Sequence, residues 1–149
     1  MSRRRNIKAS NKPALTITRQ ALKKDKLVYV AVSNKAHKYP SGHSSIVYIG
    51  TTKKGAKRIA ESAANRAGEL LQNHGVRQLD LYVVWCTPLR RVQTWKKLET
   101  ALLMAFKDKY GRVPIGNTQG KNSSYKDELD YFSENRLHKI LERFSKKNS

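Results

Sequence analysis

The sequence predicts a mixed α/β (α+β) fold, a small three-stranded sheet covered by helices. Two short runs alternate with period two, "LVYVAVS" (27–33) and "SSIVYIG" (44–50), as half-buried strands do. A third run, "LDLYVVWC" (79–86), is apolar on both faces. Residues 55–74, 92–110 and 125–144 carry helical periodicity, which gives the order β-β-α-β-α-α. The 149 residues suffice for one domain with a real core.

Taken in order, residues 1–26 hold nine Lys/Arg and one Asp with little periodicity. They read as a basic, partly flexible N-terminal arm with a short ordered piece near "ALTITRQAL". The first strand sets Val28, Val30 and Val32 on one face and Tyr29 and Ala31 on the other. "NKAHKYPSGH" (34–43) reads as a loop because of Pro40, Gly42 and the polar residues before them. In the second strand Val47 and Ile49 are expected opposite Ile46 and Tyr48. The two strands are expected to pair as an antiparallel hairpin with a long connection. Ile59, Ala63, Ala67, Leu70 and Leu71 then form a helical stripe, stopped at Gly75. Residues 79–86 are expected to be well buried, ending before Pro88. The helix over 92–110 is closed by Gly111 and Pro114, and 115–124 is a loop. Residues 125–144 read as mostly helical with a break near Ser133. The chain thus divides into an arm (1–26), a domain (27–120) and a helical extension (121–149) on or beside it.

Charge constrains the partner. Lys plus Arg number 31 and Asp plus Glu 11, a formal net charge of +20. A polyanion is the natural partner for such an imbalance. No apolar run approaches the roughly 20 residues of a membrane span, and no secretory h-region opens the chain. The lone cysteine, Cys86, excludes an internal disulfide and a Cys-rich zinc site, and reads as a small buried hydrophobe. The cytoplasm is therefore the default compartment. Residues 1–24 contain no acid, a composition shared by organellar transit peptides and by basic DNA-binding arms.

On the helix over 92–110, Val92, Trp95, Leu98, Leu102, Leu103, Phe106 and Tyr110 gather on one face. Glu99 falls inside that stripe. A carboxylate there requires a partner, either a Lys or Arg at the rim or a functional one, as metal ligand or general base. Tyr29 and Tyr48 each lie opposite a Val/Ile pair, and would share a face if the register allows. By pattern alone, ordinary aromatic packing is the favoured explanation of both. Arg58 points away from its helix's apolar stripe, as a solvated residue does. The acidic residues Asp127, Glu128, Asp130 and Glu134 read as charges near a helix start.

In combination these residues carry a resemblance. "VYV" (28–30), "VYIG" (47–50), Arg58 in "KKGAKRI", Glu99 in "KLETALLMAF" and Asn117 closing "YGRVPIGN" resemble, in order, the GIY-YIG nuclease superfamily. The resemblance covers about residues 27–117. The first motif departs from the family by lacking its usual glycine and isoleucine, and the connection between the motifs is longer than in most members. Asn122 is a competitor for the last position, but Pro114 and Gly116 favour Asn117.

The resemblance implies a three-stranded antiparallel sheet flanked by helices and a divalent-metal-dependent endonuclease acting on double-stranded DNA, restriction-like or otherwise site-specific. It implies Tyr29 as general base, Tyr48 as positioning the water, Arg58 as phosphate clamp and Asn117 as orienting substrate or a site residue. Glu99 would hold one Mg²⁺ or Mn²⁺. The free phenol has a pKa of about 10, so nearby cations must assist it. No [DE]-x-K tripeptide occurs, which argues against that two-carboxylate nuclease core. Arg3, Arg4, Arg5, Lys35, Lys38, Lys53, Lys54 and Lys57 are candidate nucleic-acid contacts. Residues 125–149 are candidates for recognition or homodimer contacts. A non-cutting nucleic-acid-binding module of the same fold and a basic RNA-associated protein are the competing readings.

Overall fold

Val28, Val30 and Val32 suit a pleated, buried surface, and they build the central strand of the sheet. The computed structural model describes residues 5–13, 26–52, 65, 68–72, 75–118, 120 and 123–146. Strand β1 spans Leu27–Tyr39, β2 Gly42–Thr52 and β3 Leu79–Val84. They form one antiparallel sheet in the order β2-β1-β3. Helix α1 (Thr94–Tyr110), a 3-10 turn (Glu128–Asp130) and helix α2 (Glu134–Ser145) follow. Residues 5–13 are exposed and carry neither helix nor strand. The piece near "ALTITRQAL" and most of the helix expected over 55–74, with Ile59, Ala63 and Ala67, lie outside the described residues. Residues 68–72 are helical, and Gly75 has φ +67.

Three expectations are corrected. Residues 34–39 continue β1, and Tyr39 pairs with Gly42, so Pro40 and Ser41 alone make the turn. The extra length is absorbed as an irregularity between Val32 and His37, whose partners are Ile46 and Ser44. Within it, the Asn34 carboxamide accepts from the amides of Arg77 (2.8 Å) and Gln78 (3.3 Å), tying the irregularity to the entry of β3. Second, Val47 and Ile49 do not share a face. Ala31 pairs with Tyr48 while Val32 pairs with Ile46, so Val47 is a bulged residue and alternation restarts there. Third, β3 is an edge strand, paired only with β1. Its six residues are all half-buried rather than well buried, and it ends at Val84. Cys86, just beyond, is likewise half-buried against the main core.

The main core joins one sheet face (Val28, Val30, Val32, Ile46, Ile49) to α1 through Leu98, Leu102 and Phe106. It continues into α2 through Leu137, Leu141 and Phe144, so the last helix is part of the same core. Ser133 caps α2, accepting from the Arg136 amide, at the expected break. Helix α1 ends at Gly111, which has φ +88 and donates to the Lys107 carbonyl at 2.8 Å. A Cβ there would stand 2.8 Å from Pro40 Cβ, so glycine also lets the hairpin tip pack on the helix end. Ser41 donates to the Tyr110 carbonyl at 3.0 Å. At the other end the Lys26 ammonium lies 4.7 Å from the Trp95 ring centre. Helix α1 therefore runs along the sheet from the start of β1 to the hairpin tip.

Candidate active site

Antiparallel pairing puts directly opposed residues on one face. Tyr29 opposes Gly50 and Ala31 opposes Tyr48, so both tyrosines share the face turned away from α1. Their ring centres are 5.8 Å apart with planes tilted by 30°. Gly50 makes this possible. A Cβ on it would lie 2.5 Å from Cζ and Oη of Tyr29 and 2.7 Å from Cε1 of Tyr48. Tyr29 is buried and Tyr48 half-buried, so the pair presents one inner and one outer phenol. Beneath Tyr48, Ala31, Val47 and Leu70 form a second, smaller apolar cluster flanked by Leu79, Leu81 and Ile115.

The segment after α1 closes the open edge of β2. Gly116 donates to the Val47 carbonyl at 2.8 Å. The Asn117 carboxamide oxygen accepts from the Ile49 amide at 3.0 Å, and its nitrogen donates to the Ile49 carbonyl at 2.8 Å. Asn117 is 2% exposed, so this two-way bond satisfies backbone groups that would otherwise be buried unpaired. It fixes the residue between Tyr48 and Gly50. Asn117 is thus a positioning residue for the strand that carries the site. Tyr39 completes the clamp: its hydroxyl donates to the Ile46 carbonyl (2.7 Å) and accepts from the Ile115 amide (3.1 Å). Burial pushes this phenol up to about 12, against the Ile115 hydrogen bond and Arg112. Sequence reasoning missed Tyr39, placed in a loop, and the packing roles of Gly50 and Gly116. The only sequence signal for Tyr39 was an aromatic residue directly before a Pro-Ser-Gly turn.

Glu99 lies on α1 in line with Leu102, Leu103 and Phe106, one turn nearer the N-terminus. It is half-buried, and loss of solvent pushes its carboxyl up to about 7, only partly opposed by Lys96. Among the described residues it makes no hydrogen bond or ion pair, so the expected rim partner is not seen there. The buried face of α1 packs on the sheet face opposite the tyrosines, with most of its sheet contact on edge strand β2. Glu99 stands about 16 Å of helix rise from Tyr110.

The remaining residues divide simply. Lys35, Lys38 and Arg5 are exposed. Arg58, Arg3, Arg4, Lys53, Lys54 and Lys57 lie outside the described residues. Asp127 is engaged by Lys97 at 2.7 Å, which holds its carboxyl below the usual range, and Glu128 is buried, accepting from the Lys126 amide. No group of three or more His, Cys, Asp or Glu side chains that could hold a metal occurs among the described residues. Among those residues no helix is long and apolar enough to cross a membrane. Comparison of the chain with family models, curated proteins and solved structures gives no match.

Proposed function

We propose that the chain is a GIY-YIG-type, divalent-metal-dependent endonuclease that hydrolyses phosphodiester bonds in double-stranded DNA in the cytoplasm. The observation that carries this reading is the pair of tyrosines, 5.8 Å apart over a glycine that neither ring could tolerate as alanine. Packing alone does not require two phenols on a small face beside an edge strand clamped by Asn117.

In this reading Tyr29, having first released its own proton to solvent, accepts the proton of the attacking water as the phenolate, and Tyr48, the more exposed phenol, orients that water. Arg58 grips a non-bridging phosphate oxygen with its planar donor fork. Asn117 holds β2, and with it Tyr48 and Gly50, at fixed height. Glu99 suits a single metal: it is a half-desolvated carboxylate with no bonded partner among the described residues and a pKa raised to about 7. A divalent ion held there would supply neutralisation of charge on the scissile phosphate. Glu99 would have to reach the phosphate past the Gly116–Asn117 segment that covers the β2 edge.

Supercoiled plasmid incubated with the protein should be nicked or linearised with Mg²⁺ and left intact with EDTA. Binding should weaken steeply with salt, because Lys and Arg displace counterions. The second reading is a module of the same fold that binds without cutting. What favours it is the start of Glu99 on the sheet face opposite the tyrosines. Tight, salt-sensitive binding with no cleavage under any divalent ion would decide for it.

A further inference from the structure

Three of the five large apolar side chains exposed among the described residues meet in one place, outside the tyrosine site. Trp85 (49% exposed), Leu89 (51%) and Tyr131 (38%) line a shallow groove of about 480 Å³, with Phe132 beside them. Tyr131 also lines an adjoining groove of about 660 Å³, whose charged lining is Arg91, Lys96 and Lys97 together with the carboxylates Asp127 and Glu128. The two grooves share that ring; in the second, Asp127 is paired with Lys97 and Glu128 is held by the Lys126 amide. Lys97 lies over Tyr131 at 5.3 Å while bonded to Asp127, which leaves Arg91 and Lys96 as the cations facing the groove.

The second groove has two further features. Arg90 and Arg91 form the two-residue turn between Leu89 and Val92, which bridge each other. Arg91 has φ 65, a left-handed conformation that side-chain-bearing residues rarely adopt. Lys96 stands in the first turn of α1, which carries no acid, where the helix dipole disfavours a cation. An anion in the groove offsets that repulsion. A second copy of the chain would instead bring more positive charge to this surface.

We propose that this groove is a platform for unpaired nucleobases, which stack on Trp85 and Tyr131 while Arg91 and Lys96 hold the adjoining phosphates. Stacking accepts any base, and the cations follow the backbone. The groove opens at the sheet end that carries the tyrosines: Val83 opposes Tyr29, and Trp85 emerges two residues later. The inference rests on the nucleic-acid partner of the reading above and not on its cleavage step.

The test is fluorescence anisotropy in EDTA with full-length protein and three labelled probes: a single-stranded oligonucleotide, an abasic oligonucleotide of the same length, and a blunt duplex. Wild type should bind the strand with bases more tightly than the abasic one. Trp85→Ala and Tyr131→Ala should each weaken single-strand binding about five-fold or more, remove that preference and leave duplex binding unchanged. Trp85→Phe should retain the preference, and thermal melting should show all three variants folded. Equal affinity of wild type for the strands with and without bases would overturn the proposal. So would a Trp85→Ala protein that binds all probes normally, or one that merely dissolves a wild-type dimer without losing single-strand binding. In a separate Mg²⁺ assay, a protein that keeps the base preference but never cleaves would sink the nuclease reading and leave the platform standing.

Discussion

The two faces of one sheet differ in what they hold. Beneath α1 and α2, β1 and β2 present Val28, Val30, Val32, Ile46 and Ile49, all fully buried. One residue along, the same strands turn Tyr29 and Tyr48 to the other side, over a smaller cluster. The two faces of a single hairpin, with the Val47 bulge resetting the alternation in β2, thus separate the main core from the proposed site. Changes on the first face should unfold the protein. Changes on the second should disable it while it stays folded.

The largest separation is expected from single-atom changes on the phenol face. Tyr29→Phe and Tyr48→Phe should each lower the cleavage rate by about 10²–10⁴-fold, as loss of general-base assistance does. Both should melt close to wild type. Phe106→Ala, on the opposite face, should lose about 3–5 kcal/mol in denaturant unfolding. A tyrosine variant that unfolds would erase the distinction between the faces.

Gly50→Ala should come next. Its Cβ would collide with both rings, so the tyrosines must separate. We expect a stability loss of about 1–3 kcal/mol together with nearly complete loss of cleavage. Asn117→Ala should have a smaller effect on cleavage but cost stability at least as much, because it strands both the Ile49 amide and carbonyl at about 1–3 kcal/mol for each group left unsatisfied. Because Asn117 acts through the strand, kcat should fall while DNA affinity stays near wild type. An unchanged kcat with weaker binding would make it a substrate contact.

A further effect, visible in stability rather than in cleavage, concerns Glu99 without metal. Its folded pKa, about 7, lies above the ordinary glutamate value of about 4.3. Between those values the folded protein keeps a proton that the unfolded chain has released. Stability therefore falls as pH rises through that window, and the loss is complete above about pH 7. Glu99→Gln should melt like wild type below pH 4.3. At pH 8 it should melt higher by several degrees, since each unit by which the pKa is raised corresponds to about 1.4 kcal/mol and each kcal/mol to about 2–4 °C at this size. Mg²⁺ should raise the wild-type melting point at pH 8 but not at pH 5. Identical pH dependence of the two proteins would show that Glu99 is solvated.

How far this contrast was legible depended on which physical signal each residue carried. Period-two alternation in 27–33 identified both faces of β1, and Gly111 and Ser133 marked helix ends through cap chemistry. Of the stripe on 92–110, Leu98, Leu102, Leu103, Phe106 and Tyr110 are buried on α1, whereas Trp95 is half-buried, Val92 precedes the helix, and Ala101, Met104 and Ala105 are buried outside the stripe. The bulge at Val47 was not legible, because alternation reveals faces only while the register is unbroken. The polar run 34–39 hid a strand, since its ladder bonds are backbone bonds that composition does not encode. The half-exposed β3 was overestimated because edge position is a property of the whole sheet. Asn117 could be picked out by resemblance, but its bond to Ile49 joins residues 68 apart in sequence and needs the fold.

The proposed role of Glu99 is to hold a divalent ion for catalysis. The most direct measurement is a paired assay of Glu99→Gln and wild type on the same duplex, with affinity read in EDTA and cleavage in Mg²⁺. The account predicts matching affinities and salt slopes, with cleavage abolished in the variant. A Glu99→Gln protein that cuts at the wild-type rate would contradict it.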